Sequence, residues 1–265
     1  MSLDGRNILV TGAAGTSGVG YGVVEAVIEA GGRPIINGRD EGRLAQAKKR
    51  FPSAELVRGD ISFPEDAERM VAEVAARIGR IHCLVNNAGI GLHKAPHECE
   101  EVDFDRLVNV DFRGTWLMTR AWLKHVLGEG NHAGPPAAAV NISSIHAQKT
   151  MPGYGIYAGV KGAVDALTRG LAVHYGRLGI RFNGVAPGYV HSEQNRDLIR
   201  NWTDDPDGWV EDLIQNHQAT PQVIEPIDVG RVVAFLLSDK ARAVTGQTLT
   251  VDAGSTSLLY PMNFV

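Results

Sequence analysis

Two side chains four residues apart have the chemistry needed to exchange a proton with a bound molecule. Tyr157 and Lys161 stand in the segment YAGVK, in a stretch that predicts a helix continuing to Tyr175. At this spacing both side chains project from one helix face. A tyrosine hydroxyl ordinarily has a pKa near ~10, and an adjacent ammonium stabilises the phenolate, so such a pair can act as a general acid or base. Taken alone, the same spacing is common on helix surfaces.

Two serines precede this helix at the end of a predicted strand. The segment VNISS places Ser143 and Ser144 directly after an apolar run, with Ser144 thirteen residues before Tyr157. A serine hydroxyl at such a place could donate a hydrogen bond to a carbonyl oxygen and stabilise the negative charge that develops there. Serine, tyrosine and lysine together suit proton transfer at a carbon–oxygen bond.

A glycine-rich segment near the N-terminus predicts a site for the phosphates of a nucleotide. After Thr11 the chain reads GAAGTSGVGYG, between a predicted strand and an apolar-periodic helix that begins near Val23. Glycine lets the backbone turn and lets a pyrophosphate approach the amides, and the start of a helix adds partial positive charge. This context, more than the glycines alone, favours nucleotide binding over a plain turn. The glycines that we expect to take part are Gly12, Gly15, Gly18 and Gly20.

The end of the second predicted strand, PIINGRD, bears on the choice of cofactor. Folds that select NAD usually carry an acid there to hold the ribose hydroxyls, and this chain has Gly38 instead. Arg39 follows at once and could pair bidentately with a 2′-phosphate, which favours NADP and leaves NAD possible. The alternative is that Arg39 only solvates the start of a helix that Asp40 caps.

Short β-branched runs that predict strands alternate with amphipathic stretches that predict helices. This alternation predicts an α/β fold with one doubly wound parallel sheet of about seven strands, of the Rossmann type, and helices on both faces. Ligands of such sheets bind at the carboxyl ends of the strands. The strand runs are Asn7 to Thr11, Arg33 to Asn37, Glu55 to Arg58, Ile81 to Asn86, Ala137 to Ile142, Ile180 to Ala186 and Thr248 to Val251. The helical stretches include VVEAVIEAG, EGRLAQAKKRF, PEDAERMVAEVAARIG and VDALTRGLAVHYGRLG.

We expect residues 1–265 to form a single nucleotide-binding domain, with a substrate-binding insertion at about 188–226. The region from Pro187 to Pro226 breaks the strand–helix rhythm, and a long insertion at a strand's carboxyl end is often a lid or binding loop. Its Trp202 and Trp209 could cover an apolar substrate, or could equally pack onto the core or another subunit. The segment from Gly128 to Pro136 predicts a surface connection.

Composition excludes several classes of function. The chain has 26 Lys and Arg against 30 Asp and Glu, a net charge of -4, so it offers no basic field for nucleic acid or an anionic membrane. No apolar run reaches the ~18 residues of a membrane span, and no signal segment is evident, so a soluble cytoplasmic protein is expected. Cys83 and Cys99 suggest neither a disulfide nor a metal site. His146 and His191 either line a substrate mouth or are exposed loop residues.

In order and spacing these motifs resemble the short-chain dehydrogenase/reductase family, in its single-domain branch, over nearly the whole chain. One departure concerns the glycine loop, where Gly12 and Gly18 enclose five residues rather than the family's three, so that Gly15 creates a second possible register. The matching positions are Thr11 and Gly12 with Gly18 to Gly20, Asp60, Asn86 to Gly89, Asn109, Ser144, Tyr157 with Lys161, and Pro187 and Gly188 with Ser192.

The resemblance implies a hydride passed directly between nicotinamide C4 and a carbinol carbon, with Tyr157 exchanging the hydroxyl proton. It implies that Ser144 polarises the oxygen, that Lys161 also holds the nicotinamide ribose, and that Asn109, in a kinked helix, positions a water linking Lys161 to solvent. It implies a homodimer or homotetramer formed through the long helices. The further cofactor contacts that it implies are Asp60, Ile61, Asn87, Ala88, Gly89, Pro187, Gly188, Val190 and Ser192.

Three functions are weighed at this point. The first is an NADP-preferring oxidoreductase of a secondary alcohol or ketone, a class that includes reductases of 3-oxoacyl thioesters. The second is a non-redox lyase that uses Tyr157 for proton transfer only. The third is a nucleotide-binding regulatory protein with vestigial turnover, which the fold alone cannot exclude.

Overall fold

Seven short strands form one parallel sheet in the computed structural model, which describes residues 2–128 and 137–264. Their order across the sheet is β3-β2-β1-β4-β5-β6-β7, and every neighbouring pair is parallel. The predicted fold class is therefore confirmed. The strands are β1 (Asn7–Val10), β2 (Arg33–Gly38), β3 (Glu55–Arg58), β4 (Cys83–Asn86), β5 (Ala138–Ile142), β6 (Arg181–Pro187) and β7 (Thr248–Val251).

Helices connect these strands and cover the sheet. They begin at the sequence signals expected of helix starts: Pro64, Pro206 and Pro226 each occupy a first helical position, where a missing N–H costs nothing. The helices are α1 (Val19–Glu29), α2 (Glu41–Arg50), α3 (Pro64–Ile78), α4 (Glu101–Leu107), α5 (Thr115–Leu127), α6 (Gly155–Tyr175), α7 (Glu193–Arg200), α8 (Pro206–Asn216) and α9 (Pro226–Leu237). A π-helical segment, Val108–Gly114, joins α4 to α5.

The sheet separates two apolar cores. Successive side chains of β1 alternate between them, with Ile8 and Val10 in one core and Leu9 in the other, as the period of two along a strand requires. The first core packs against α1, α2 and α9, and the second against α3, α5 and the end of α6. Because both faces are covered, the strands are nearly continuous apolar runs rather than alternating ones.

All seven strands of the described chain point the same way, so their carboxyl ends meet at one edge of the sheet. The chain order reverses between β1 and β4, which makes a crevice at that edge, where ligands of such sheets bind. The segments that follow β1, β4, β5 and β6 border this crevice. The sheet therefore gathers the sequence motifs at one place.

Some expected boundaries are corrected by the structure. β4 begins at Cys83 rather than Ile81, and α1 begins at Val19 rather than near Val23. The region after Pro187 is more regular than its sequence suggests, because it contains the two helices α7 and α8. The predicted connection from Gly128 to Pro136 lies outside the described residues beyond its first position. Within residues 2–128 and 137–264, no helix combines the length and apolarity needed to cross a membrane.

A close contact between α1 and α9 generates a stability prediction. A methyl group on Gly230 would overlap the carbonyl oxygen of Gly22, and Gly22 itself lies against the backbone of Pro226. Backbone atoms cannot move aside as a flexible side chain can, so Gly230→Ala is expected to lower the free energy of unfolding by about 1–3 kcal/mol. Urea unfolding followed by circular dichroism measures this change.

The matched control is Gly170→Ala in α6, where an added Cβ meets nothing within 4 Å. There the substitution is expected to raise the free energy of unfolding by about 0.5–1 kcal/mol, because alanine loses less backbone entropy than glycine in a helix. Equal stability of the two variants would contradict the packing argument.

Candidate active site

The loop after β1 has the shape of a phosphate-binding turn. Gly12 has φ +64°, and a Cβ there would come within 2.7 Å of the Ala88 Cα, so no other residue fits. Gly18 has φ +96° and precedes the first turn of α1, which carries no acidic residue and no side-chain cap. Gly15 does not have a positive φ, so the two positions of the loop with positive φ are Gly12 and Gly18.

The donors of this loop fit a pyrophosphate. Backbone N–H groups of residues 15–18 make no hydrogen bond within the part of the chain that the structure describes. They stand at the start of α1, where the helix dipole also favours negative charge. The first turn of α1 itself carries no acid, and the nearest carboxylate at the loop is that of Glu193, which accepts the Thr16 hydroxyl at 3.3 Å. The residues present therefore fit the dinucleotide that the sequence predicts.

The segment after β4 is tied to this loop by hydrogen bonds. The Asn87 Nδ2 donates to the carbonyl oxygens of Thr11 at 2.9 Å and Gly12 at 3.3 Å. In return, the Thr11 Oγ1 accepts the backbone N–H groups of Asn87 and Ala88, each at 3.0 Å. Gly20 faces the same amide, since a Cβ there would lie 2.5 Å from the Asn87 Nδ2. The predicted contacts Asn87 and Ala88 thus shape the wall of the crevice.

At the end of β2 the structure disfavours an acid. A Cβ on Gly38 would lie 2.5 Å from the Ala14 Cβ, so a longer side chain there would require the glycine loop to shift. Arg39 is exposed, and its Nη1 lies 3.1 Å from the Asp60 Oδ2. Asp40 caps α2 by accepting the Arg43 N–H at 2.7 Å. Asp40 therefore caps the helix as the alternative role of Arg39 required, but the Arg39 side chain itself contacts Asp60.

Asp60 is held as a carboxylate beside Arg39. Burial alone would raise the pKa of this carboxyl, but hydrogen bonds from Ser62 and Arg39 outweigh burial and hold the pKa below its usual range. Its Oδ1 accepts both the backbone N–H and the hydroxyl of Ser62, at 3.0 and 2.6 Å. The predicted neighbour Ile61 is buried. Arg39 and Asp60, both predicted to contact the cofactor, therefore form one ion pair at the crevice.

The turn after β5 brings Ser144 to the start of α6. Ser144 is buried and caps the short 3₁₀ helix Ile145–Ala147, accepting the His146 N–H at 3.2 Å. The His146 ring stands edge-on to the Tyr157 ring, with their centres 5.7 Å apart. Tyr157 lies in the first turn of α6, which begins at Gly155. Ser144 and Tyr157 are therefore neighbours at one end of the crevice.

Lys161 lies one helical turn beyond Tyr157 and is buried. Its Nζ is 5.6 Å from the centre of the Tyr157 ring and donates to the Ile142 carbonyl oxygen at 3.2 Å. Burial by itself would lower the pKa of this ammonium, but Tyr157, Asp111 and Asp165 together raise it above its ordinary value. The lysine is therefore a fixed positive charge next to the phenol, as the four-residue spacing predicts.

The carboxylate that pairs with this lysine was missed by the sequence reasoning. The Asp111 Oδ2 lies 3.0 Å from the Lys161 Nζ, and the Asp111 side chain is completely buried. Its Oδ1 accepts the Ile90 N–H at 2.8 Å. An acid inside the largely apolar run VNVDFRGTW was a signal that could have found it, because a buried carboxylate needs a cation or several donors.

Asn109 lies in the π-helical segment Val108–Gly114, so the expected irregularity of this helix is present. Within the described residues, no direct hydrogen bond joins Asn109 to Lys161 or Tyr157, and Asp111 is the residue whose side chain reaches the lysine. The role that the resemblance implies for Asn109, positioning a water next to Lys161, stays a prediction.

Gly89 lies directly over this ion pair. A Cβ on Gly89 would come within 2.9 Å of the Asp111 Oδ2 and 3.4 Å of the Lys161 Nζ. Any larger residue would have to push one of the two charged groups aside. Gly89, predicted as a cofactor contact, therefore also preserves the space around the pair.

The segment after β6 completes the crevice on its other side. The Gly188 N–H donates to the Val251 carbonyl oxygen at 2.9 Å, which continues the sheet just past Pro187. Val190 is buried, and Ser192 caps α7 by accepting the Asn195 N–H at 3.3 Å. Among the described residues, no group of His, Cys, Asp and Glu side chains is arranged to hold a metal ion.

Comparisons with known proteins agree with this geometry. A family model described as Enoyl-(Acyl carrier protein) reductase matches residues 12–256. A glucose 1-dehydrogenase of Gluconobacter oxydans is 32% identical over 257 residues, which are 95% of this chain and 92% of that protein. An A-factor type gamma-butyrolactone 1'-reductase of Streptomyces virginiae is 33% identical over 264 residues, which are 97% of each.

A solved structure resembles the whole chain. It is a gluconate 5-dehydrogenase from Burkholderia cenocepacia in complex with NADP and tartrate, 31% identical, with a TM-score of 0.86. The match covers 97% of this chain and 98% of that one. These proteins are dehydrogenases and reductases, and each is similar to this chain over nearly its full length.

Proposed function

The chain belongs to the short-chain dehydrogenase/reductase family, an oxidoreductase family acting on alcohol and ketone groups, and from that premise we propose its reaction. It transfers a hydride between NADP and a secondary alcohol or ketone, and Tyr157 exchanges the proton of the hydroxyl group. The observation that carries this proposal is the buried Lys161 ammonium beside the Tyr157 ring, at the carboxyl end of β5.

The proposed mechanism divides the work between three side chains. When bound, the nicotinamide would supply the hydride in reduction and would accept it in oxidation. In reduction, the Tyr157 hydroxyl donates its proton to the carbonyl oxygen of the substrate, and in oxidation the phenolate accepts the proton back. Lys161 stabilises the phenolate form, since its positive charge is fixed 5.6 Å from the ring centre. Ser144 donates a hydrogen bond to the same oxygen and stabilises the charge that develops on it.

In this proposal, Asp111 is a positioning residue that the sequence analysis did not name. It holds the Lys161 ammonium through a 3.0 Å ion pair. Unlike an amide, a carboxylate also cancels part of the lysine's charge, so Asp111 tunes how strongly Lys161 favours the phenolate. Asp111 acts through Lys161 and not on the substrate itself.

The preference for NADP rests on the end of β2. The space beside Gly38 is closed by Ala14, while the exposed Arg39 guanidinium offers several donors to a 2′-phosphate. Binding the phosphate would require Arg39 to share or leave its contact with Asp60. The related gluconate 5-dehydrogenase that was solved with NADP supports this choice.

The other two functions have less support. The regulatory protein would leave the buried charges around Tyr157 without a use, although a buried ammonium is costly to maintain. The lyase would use Tyr157 but would leave the glycine loop after β1 without a use. The geometry around Tyr157 instead suits turnover. The described residues add no observation that favours either alternative.

We further propose that two copies associate through α6. An apolar groove between the π-helical segment and α6 is lined by Phe104, Val108, Phe112, Ile156 and Val160. Phe104 is about half exposed in the single chain. If the same face of a second copy packed against this groove, these side chains would be removed from water. The two α6 helices would then pair symmetrically.

The first test of the reaction is Tyr157→Phe, which removes only the hydroxyl group. We expect kcat/KM for ketone reduction to fall by about 100-fold or more, because general acid catalysis contributes that much, while NADPH affinity changes little. Loss of absorbance at 340 nm and a fluorescence titration with NADPH measure the two quantities. The control is Tyr175→Phe at the far end of the same helix, which should keep full activity. Turnover of Tyr157→Phe within a few-fold of the original protein would refute the assignment.

The second test examines Asp111 by the pH profile. Charged or titratable groups facing Lys161 are Asp111, Tyr157 and Asp165. Asp111→Asn removes one buried negative charge, so the remaining groups bind protons less tightly. The pKa seen in the profile of kcat/KM for alcohol oxidation should therefore fall, because a nearby negative charge that favours the protonated state has been removed.

The control for this test is Asp103→Asn, which breaks an exposed ion pair with Lys94 and should leave the profile unmoved. A rate reduced equally at every pH, with the midpoint unchanged, would mean that Asp111 has a structural role only. A midpoint displaced to higher pH would contradict the proposed sign of the effect.

The third test examines cofactor choice through Arg39→Gln. KM for NADPH should rise about 10- to 100-fold, because a hydrogen bond to a charged group is worth ~1.5–3 kcal/mol, while KM for NADH stays nearly constant. Steady-state kinetics with both cofactors measure the ratio. Arg77→Gln, which alters exposed ion pairs on α3, is the control. An unchanged ratio of the two KM values would rule out Arg39 as the phosphate ligand.

A further inference from the structure

A row of aromatic rings starts at Tyr157 and continues to the α7–α8 region. Tyr154 stands 5.8 Å from Tyr157 and 6.3 Å from Trp202, measured between ring centres, and Trp202 stands 5.8 Å from Trp209. Two imidazole rings join the row, with His146 stacked on Tyr154 at 4.3 Å and His93 placed 4.9 Å from Tyr154. We call this set the aromatic wall; its members are His93, His146, Tyr154, Trp202 and Trp209.

The wall is assembled by the fold at the carboxyl edge of the sheet. His93 follows β4, His146 follows β5 and Tyr154 precedes α6. Trp202 lies in the connection between α7 and α8, and Trp209 lies in α8. Segments distant in sequence therefore supply the rings, and they meet next to Tyr157. His93 touches both Tyr154 and Trp202, with 5.3 Å between the centres of the His93 and Trp202 rings.

Apart from the buried Tyr154, these rings keep part of their surface exposed. Within the described chain, none of the five belongs to either of the two core clusters that flank the sheet. Tyr154 is buried, whereas His93 is exposed and the two tryptophans are partly exposed. Aromatic surface left at the edge of a cleft is available to a ligand, and planar rings bind other planar rings in stacked or edge-on arrangements.

The part of the wall nearest Tyr157 is uncharged at neutral pH. Burial, with a contribution from Tyr157, raises the pKa of Tyr154 to about 12, so its hydroxyl stays neutral. Burial also lowers the pKa of His146, which keeps its ring neutral, and its Nδ1 is 2.9 Å from the Thr150 Oγ1. A carboxylate or phosphate would find no cation on these two rings, and a neutral planar group would suit them better.

We propose that the aromatic wall is the substrate subsite and that it selects a flat, uncharged aryl ketone or the corresponding aryl alcohol. This inference rests on the proposed function, because the carbonyl group must reach Tyr157. In reduction the C=O π bond breaks, a C–H bond forms with the hydride that NADPH gives up, and an O–H bond forms with the Tyr157 proton. The products are the aryl alcohol and NADP⁺, and Tyr157 recovers a proton from solvent.

The substrate experiment compares alcohols of different shape in one direction of reaction. The protein with NADP⁺ is assayed with 1-(2-naphthyl)ethanol, 2-butanol, glucose and gluconate. We expect kcat/KM for the naphthyl alcohol to exceed each of the others by at least tenfold, mainly through a lower KM. A higher kcat/KM for glucose or gluconate, on which relatives with those names act, would overturn the proposal.

Trp202→Leu then tests the wall itself. The ratio of kcat/KM for 1-(2-naphthyl)ethanol to that for 2-butanol is expected to fall about tenfold, and Trp202→Phe should restore most of it, since a ring is replaced. The matched control is Trp116→Leu, which removes an exposed tryptophan from α5 and should leave the ratio unchanged. An equal loss for both alcohols in Trp202→Leu would contradict a role in selectivity.

Calorimetry separates the failure of this inference from that of the proposed function. 2-Acetonaphthone is titrated into the complex of the protein with NADP⁺. Binding that Trp202→Leu weakens, in a protein that turns over no alcohol or ketone, would support the aromatic wall and refute the proposed reaction. Turnover of small alcohols or sugars with no detectable 2-acetonaphthone binding would refute the aromatic wall and leave the reaction standing.

Discussion

A buried ammonium costs several kcal/mol unless a counter-charge and hydrogen bonds accompany it, and the Lys161 environment is organised around that cost. The lysine and Asp111 are almost completely enclosed and lie 3.0 Å apart, so each offsets part of the cost of burying the other. This requirement fixes the relative positions of three elements: α6, the π-helical segment and the loop after β4, whose Gly89 leaves room for the pair. Tyr157 is placed beside a stable positive charge as a result.

The sheet explains why so many motifs serve one site. Parallel strands end at a common edge, so residues far apart in sequence, such as Gly12, Asn87 and Ser144, come together there. Hydrogen bonds from Asn87 to the carbonyl oxygens of Thr11 and Gly12 then hold two of these segments to each other. The sheet therefore places the glycine loop and the residues proposed for proton transfer at one edge, an arrangement suited to preorganised catalysis.

Sequence periodicity was sufficient for the sheet, the glycine loop and the Tyr157–Lys161 pair, because each depends on local spacing that the fold preserves. It did not single out Asp111 as the partner of Lys161, since a π-helical turn contains more residues than an α-helical one and changes which side chains share a face. It was also insufficient after Pro187, where caps by Ser192 and Asp205 start the two short helices α7 and α8 in a region that breaks the strand–helix rhythm.

The two ends of the crevice differ in charge, and this difference bears on how a substrate is oriented. At one end, Arg39 and the amides at the start of α1 attract phosphate groups. At the other, beyond Tyr157, Tyr154 and His146 present neutral rings. An anionic dinucleotide would be disfavoured beside the neutral rings, because they offer no positive charge to its phosphates. A flat apolar substrate would be disfavoured at the start of α1, because it would bury backbone amides without hydrogen-bond partners. Electrostatics and desolvation would thus place the cofactor and the substrate at opposite ends of the crevice, independently of any contact at the reacting carbon.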